Sequence, residues 1–110
     1  MGNDEGSISV EVRDQLLLIG LNRPEKYNGY TPKMSSELVS AFTRLDEEDD
    51  LRVGVLFGHG DHFTAGLDLP KWTEKMEEGD RPQPKKSSKI DPMGLGRRCR
   101  KPIVTAVQGI

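Results

Sequence analysis

The stretch from Leu16 to Phe57 reads as strand, helix, strand, and this succession limits the fold more than any other feature of the chain. Leu16 to Leu21 is apolar enough for a buried strand. Thr31 followed by Pro32 starts a helix well, because the hydroxyl caps orphan amides and a proline at the first helical position loses no bond. Met34, Leu38, Ala41, Phe42 and Leu45 then recur at spacings of three and four, one apolar stripe of an amphipathic helix. Val53, Val55, Leu56 and Phe57 form a second short buried strand, closed by Gly58-His59-Gly60-Asp61. Strand, helix, strand in that order implies a right-handed crossover and an α/β layer.

Other elements surround this unit. Ser7 to Arg13 alternates Ile8, Val10 and Val12 with polar residues, the period of a half-buried strand. Asp14-Gln15 makes a tight connection to Leu16, so the first two strands form an antiparallel hairpin. Gly20 inside the second strand predicts a close approach or a bulge. Asn22 to Tyr30 reads as a loop. The acids Asp46 to Asp50 end the helix; lacking the spaced ligands and central glycine of a calcium loop, they read as a solvated, fraying terminus. Asp68 is placed to cap a helix from Leu69 to about Glu78, with Gly79 just past its end. Asp80 to Asp91 is almost devoid of apolar residues and predicts a mobile surface loop. A short helical piece over Pro92 to Arg100 and a buried strand over Ile103 to Val107 follow. Gln108-Gly109-Ile110 then stops abruptly, so the chain reads as cut before the element that would cover its last strand.

With 110 residues the chain is one domain at most. Its longest apolar run, Leu16 to Ile19, is far short of the ~20 residues of a membrane span. No basic and apolar leader opens it, and the Met1-Gly2 start lacks the serine or threonine position of a myristoylation signal. One cysteine, Cys99, gives neither an internal disulfide nor a zinc framework. The reading is a soluble protein of a reducing compartment, taken as cytoplasmic. The net charge of −2 is unevenly spread. Glu37 to Asp50 carries a balance of −5 and Arg81 to Pro102 one of +7, an asymmetry that could draw a polyanion.

The stretch most suggestive of chemistry is Phe63-Thr64-Ala65-Gly66-Leu67-Asp68-Leu69, between a strand and a helix start. Small residues at 64 to 66 let a ligand approach the backbone, and amides near Leu67 lie where a helix leaves them unpaired in a positive field. Such amides can hold an anionic oxygen, although a plain glycine turn with an aspartate cap explains the same letters. His59 and His62 lack a third metal ligand nearby and read as surface-turn histidines. Asp68 reads more simply as a cap than as an acid or base, and Cys99 as a structural thiol despite its cationic neighbours. Trp72 and Met76 read as helix packing.

In order, the blocks Leu21 to Asn28, Val53 to Gly58, Phe63 to Leu69 and Lys101 to Gly109, with the helix between the first two, resemble the enoyl-CoA hydratase/isomerase (crotonase) family. The resemblance implies an α/β, crotonase-like ββα spiral, of which this chain would be the N-terminal portion, truncated after a central strand. It sets residues 1–6 as a flexible N-terminus and 7–110 as the N-terminal part of one domain, with 79–91 as the mobile loop. By resemblance, the Leu67 N–H is the first of two donors to a thioester oxygen, and the Ala65 carbonyl meets the adenine amino group. Lys26 lies near the phosphates of coenzyme A, and Tyr27 and Gly29 line the same cleft. Gly66, Asp68 and Leu69 complete the loop that cradles the acyl-CoA. No permanent cofactor and no metal are implied; coenzyme A enters as part of the substrate.

Two departures stand out. Tyr27 and Tyr30 replace the usual small or leucine-type residues, which would narrow the acyl entrance, and Pro70 leaves the cap geometry at Leu69 open. The second oxyanion amide and the catalytic carboxylates of the family fall beyond the Gly109 match. The expectation is therefore an acyl-CoA-binding enzyme that hydrates, isomerises or hydrolyses a thioester through its enolate, with these 110 residues inactive alone. The complete protein is expected as a trimer or dimer of trimers, without nucleic acid or a membrane span. The alternatives are a phosphate- or nucleic-acid-binding module using the basic 81–102 stretch, which lacks aromatic residues for stacking bases, or a non-catalytic scaffold of the same fold.

Overall fold

The structure, a computed structural model, describes residues 5–77, 89–94 and 96–109. Four strands form one sheet: β1 (Ser7–Arg13), β2 (Leu16–Asn22), β3 (Val53–Gly58) and β4 (Ile103–Thr105), in the order β1-β2-β3-β4. The β1–β2 pair is antiparallel, and Asp14 takes the positive φ of 56° that their tight turn requires. The β2–β3 and β3–β4 pairs are parallel. Helix α1 (Pro32–Glu47) connects β2 to β3, as strand, helix, strand demands, and α2 (Leu69–Glu77) follows β3.

Helix α1 forms where its sequence says it should. Thr31 is the cap, its Oγ1 accepting the Met34 N–H at 3.2 Å, and Pro32 opens the helix. All five residues of the predicted stripe are buried, and they meet Leu17, Ile19 and Leu21 of β2. Leu17, Ile19, Met34 and Leu45 are 0% exposed; each such side chain contributes roughly 1.5–3 kcal/mol on burial. The opposite sheet face carries Leu18, Val55, Phe57 and Val104 in half-buried to exposed positions. Gly20 lies on that face where a Cβ would stand 2.5 Å from Ser9 Oγ and 2.6 Å from His59 Nε2, so the predicted close approach is real.

Several expectations need correction. The acidic end of α1 is solvated over residues 47–50, as expected, but not at Asp46. Asp46 is 2% exposed; its Oδ1 accepts the Arg100 N–H at 2.8 Å, and its Oδ2 accepts Arg97 Nη2 at 2.6 Å. The hydrogen bond from the Arg100 amide is the largest influence on its carboxyl, and with the two guanidinium groups it brings the pKa down to about 2. The acidic and basic stretches thus meet within the fold. No helix forms over the described residues of 92–100, because the Asp91 carboxylate accepts the Met93 and Gly96 amides and Gly94 adopts a φ of 74°.

Ile90, placed by sequence in the mobile loop, is 1% exposed, and its N–H donates to Thr43 Oγ1 at 2.9 Å. Gly79 and residues 78–88 lie outside the described residues. Strand β4 is shorter and more exposed than expected, with Val104 57% and Val107 65% exposed, because it forms the edge of the sheet. Glu5 and Gly6, assigned to a flexible terminus, are held by Thr31 Oγ1 and Lys33 Nζ, each donating to one of their carbonyls. No helix among the described residues is long and apolar enough to cross a membrane.

Candidate functional site

Two loops meet beyond the C-terminal ends of β2 and β3, and a single asparagine joins them. Asn28 is 0% exposed and has a left-handed φ of 54°, next to Tyr27 at 53°. Its Oδ1 accepts the Arg23 N–H at 2.7 Å, while Nδ2 donates to the carbonyls of His59 (2.9 Å) and His62 (2.8 Å). The Asn28 carbonyl accepts Thr64 Oγ1 at 2.7 Å. One side chain and one carbonyl therefore align the 23–31 loop with the 59–68 loop.

From there the backbones zip together. The Ala65 N–H donates to Tyr27 O at 2.9 Å, Tyr30 N–H to Gly66 O at 2.8 Å, and Asp68 N–H to Tyr30 O at 2.9 Å. The last two bonds make a parallel bridge between Tyr30 and Leu67. In such a bridge the polar groups of Leu67 itself face away from the partner strand. Its N–H has no acceptor among the described residues, and the residue is 56% exposed. Nothing lies within 4 Å of where a Cβ on Gly66, at φ 100°, would stand. Helix α2 begins two residues after Leu67, so this amide also lies in the positive field of a helix start.

Asp68 behaves as the cap that its sequence position predicts, with Oδ1 accepting the Lys71 N–H at 3.2 Å. Its Oδ2 accepts Arg23 Nη1 at 2.6 Å. That hydrogen bond is the main reason its pKa lies below the usual carboxylate range, burial opposing it. Pro70 does not disturb the helix start, since an amide there has no helical acceptor to lose.

The other sequence candidates divide. Lys26, Tyr27, Ala65, Gly66, Leu67 and Leu69 are exposed on one rim; Tyr27 meets His62 edge-on, with ring centroids 5.2 Å apart. Gly29 is instead buried, its carbonyl engaged by Arg23 Nη1 at 3.1 Å. Tyr30 does not narrow an entrance: it is 9% exposed and stacks on Trp72, whose Nε1 donates to the Tyr30 carbonyl at 2.9 Å. His59 and His62 have separate partners, His59 sharing a 2.7 Å hydrogen bond with Ser9. No cluster of three or more potential metal ligands occurs among the described residues. Sequence reasoning passed over Arg23 and Asn28 as site builders, although both stand in the block that carries the resemblance.

The fold itself has close counterparts. The crystal structure of a probable enoyl-CoA hydratase/isomerase from Mycobacterium abscessus superposes with a TM-score of 0.78 at 36% identity, over 93% of this chain and 38% of that one. The architecture is thus the N-terminal portion of a crotonase fold. The enoyl-CoA hydratase/isomerase family profile matches residues 11–110, and the chain belongs to that family. Among curated relatives, enoyl-CoA hydratase EchA19 of Mycobacterium tuberculosis is 37% identical over 102 residues, which are 91% of this chain and 38% of that protein. Hydroxycinnamoyl-CoA hydratase-lyase of Pseudomonas fluorescens is 33% identical over 73 residues, 66% of this chain and 26% of its own. The chain therefore spans less than two fifths of the length of these relatives.

Proposed function

We propose that this chain binds an acyl-CoA thioester and supplies, through the Leu67 N–H, one donor to the oxygen on which enolate charge develops. One observation carries the reading: the Leu67 N–H has no acceptor among the described residues, while the carbonyl of its own peptide, Gly66 O, and the next N–H, that of Asp68, are both fixed to Tyr30. A donor held in place in advance stabilises developing charge without reorganising, and losing one such donor typically costs about 10²–10³ in rate. The relatives named as CoA hydratases support the same ligand class.

The reading includes inactivity of these 110 residues alone. Asp68, the carboxylate adjoining Leu67, is committed to Arg23 and to the cap of α2, so it is poorly placed to move a substrate proton. Carboxylates from the rest of a complete protein would do so, within a trimer or dimer of trimers. The polyanion alternative draws less support, because Arg97 and Arg100 hold Asp46, and Arg98 and Lys101 hold backbone carbonyls.

The test is a titration of the ¹⁵N-labelled chain with butyryl-CoA and, separately, with CoA. Saturable movement of the Leu67 amide resonance, larger with the thioester, is the expected result. No saturable change at residues 65–68 with either ligand overturns the reading.

A further inference from the structure

We infer that Arg23 and Asp68 form a positioning pair that fixes the direction of the Leu67 amide, an inference that rests on the acyl-CoA reading above. The two residues are 45 positions apart, yet Arg23 Nη1 lies 2.6 Å from Asp68 Oδ2. The same nitrogen donates to the Gly29 carbonyl at 3.1 Å, so one guanidinium holds the 23–31 loop and the residue after Leu67 together. Arg23 is 2% exposed, and its stem is packed tightly under Gly6, where a Cβ would stand 2.7 Å from the Arg23 Cβ.

Residue 68 is held in three directions: its N–H by Tyr30, one carboxylate oxygen by the Lys71 amide, the other by Arg23. These bonds fix the peptide on the far side of Leu67, while the Gly66–Leu67 peptide, which carries the Leu67 N–H, is held through its carbonyl by the Tyr30 N–H, a donor whose own peptide Arg23 anchors at the Gly29 carbonyl. Stability alone is a weak reason for such a pair, because the cost of desolvating two charges offsets much of their attraction. There is also an electrostatic consequence. A lone carboxylate beside Leu67 would repel negative charge growing on a thioester oxygen; the arginine cancels that field while leaving the carboxylate free to cap α2.

The experiment compares wild-type chain with Asp68→Asn, which keeps a good helix cap but removes the charge pair, and with Arg23→Gln. Glu74→Gln, an exposed change on α2, is the control. In the ligand-free chain, the ¹⁵N order parameter of Leu67 is expected near about 0.85 in wild type and control, and below about 0.6 in both pair variants, with β2 amides unchanged. Affinity for butyryl-CoA is expected to fall about tenfold more than affinity for CoA in the pair variants, since misplacement of the donor affects only the thioester. An unchanged order parameter at Leu67 overturns the inference, as does equal loss of both ligands. Should the wild type bind neither ligand, the acyl-CoA reading fails, and the relaxation result alone decides whether the pair positions this peptide. If one pair variant fails to fold, the other carries the same test.

Discussion

Asp46, near the end of α1, and Arg97, 51 residues further along, are 2.6 Å apart, and the aspartate side chain is wholly screened from solvent. The folded state thereby favours the ionised carboxylate, whose pKa is about 2, against about 3.9 in an unfolded chain. A depressed carboxyl pKa contributes stability that is complete above the unfolded value and is lost as pH falls toward the folded one. Asp46→Asn is therefore expected to lower Tm at neutral pH, with the gap to wild type closing between about pH 5 and pH 2. Thermal melts across that range decide it; a gap that stays constant to low pH would show that the pair is not what matters.

Asn28→Asp preserves shape but turns the donor facing the His59 and His62 carbonyls into an acceptor. The two loops lose their joint, and stability is expected to drop by at least about 2 kcal/mol. Urea unfolding measures this, and a midpoint equal to wild type would remove Asn28 from the account of how the site is held.

Gly20→Ala drives a methyl group against Ser9 Oγ, His59 Nε2 and Phe57 Cζ, all within 2.8 Å of the new atom. Overpacking of this kind costs typically about 1–3 kcal/mol. Adding Ser9→Ala is expected to recover part of the loss, because the nearest obstructing atom is gone. Strictly additive losses in the double variant would contradict that geometry.

The Tyr30 hydroxyl is buried without a hydrogen-bond partner among the described residues. Burial pushes its pKa up, with the Ser35 side chain opposing and Asp91 reinforcing the shift. Tyr30→Phe removes an oxygen that is costly to bury while leaving the stack on Trp72 intact, so the variant is expected to melt at or above the wild-type temperature. A clear fall in Tm would mean that the hydroxyl makes a bond the fold depends on.

The parts of this fold that repeat along the chain were legible in its sequence. The stripe of α1, the Thr31 cap and the close approach at Gly20 each follow from local sterics and from which face is apolar, and β1 forms where its alternation predicts, although Val10 and Val12 are exposed rather than half-buried. Asp46 was misread because its partners are 51 and 54 residues away, and an acidic run says nothing about what will fold onto it. The asymmetry of charge was visible, and part of it is met internally, where Arg97 and Arg100 pair with Asp46. The lack of a helix among the described residues of 92–100 has a local cause, the competition of the Asp91 carboxylate for backbone amides, which no periodicity reports.

The place of the Leu67 loop, between β3 and the start of α2, was readable in the sequence. Arg23 and Asn28 were not singled out, since polar residues that organise a loop have neither a period nor a spacing to betray them. The size of Tyr30 suggests an entrance residue, but size alone does not say which way a ring turns. Its backbone bonds to Gly66 and Asp68 accompany a ring turned inward to stack beneath α2.

The bridge between Tyr30 and Leu67 is made wholly of main-chain atoms. Residues 26, 27, 65 and 67 therefore display side chains that the bridge does not need. Substitutions other than proline can rewrite the shape and polarity of that rim, and with it, on the function proposed above, the acyl group admitted, while the main-chain bridge itself persists.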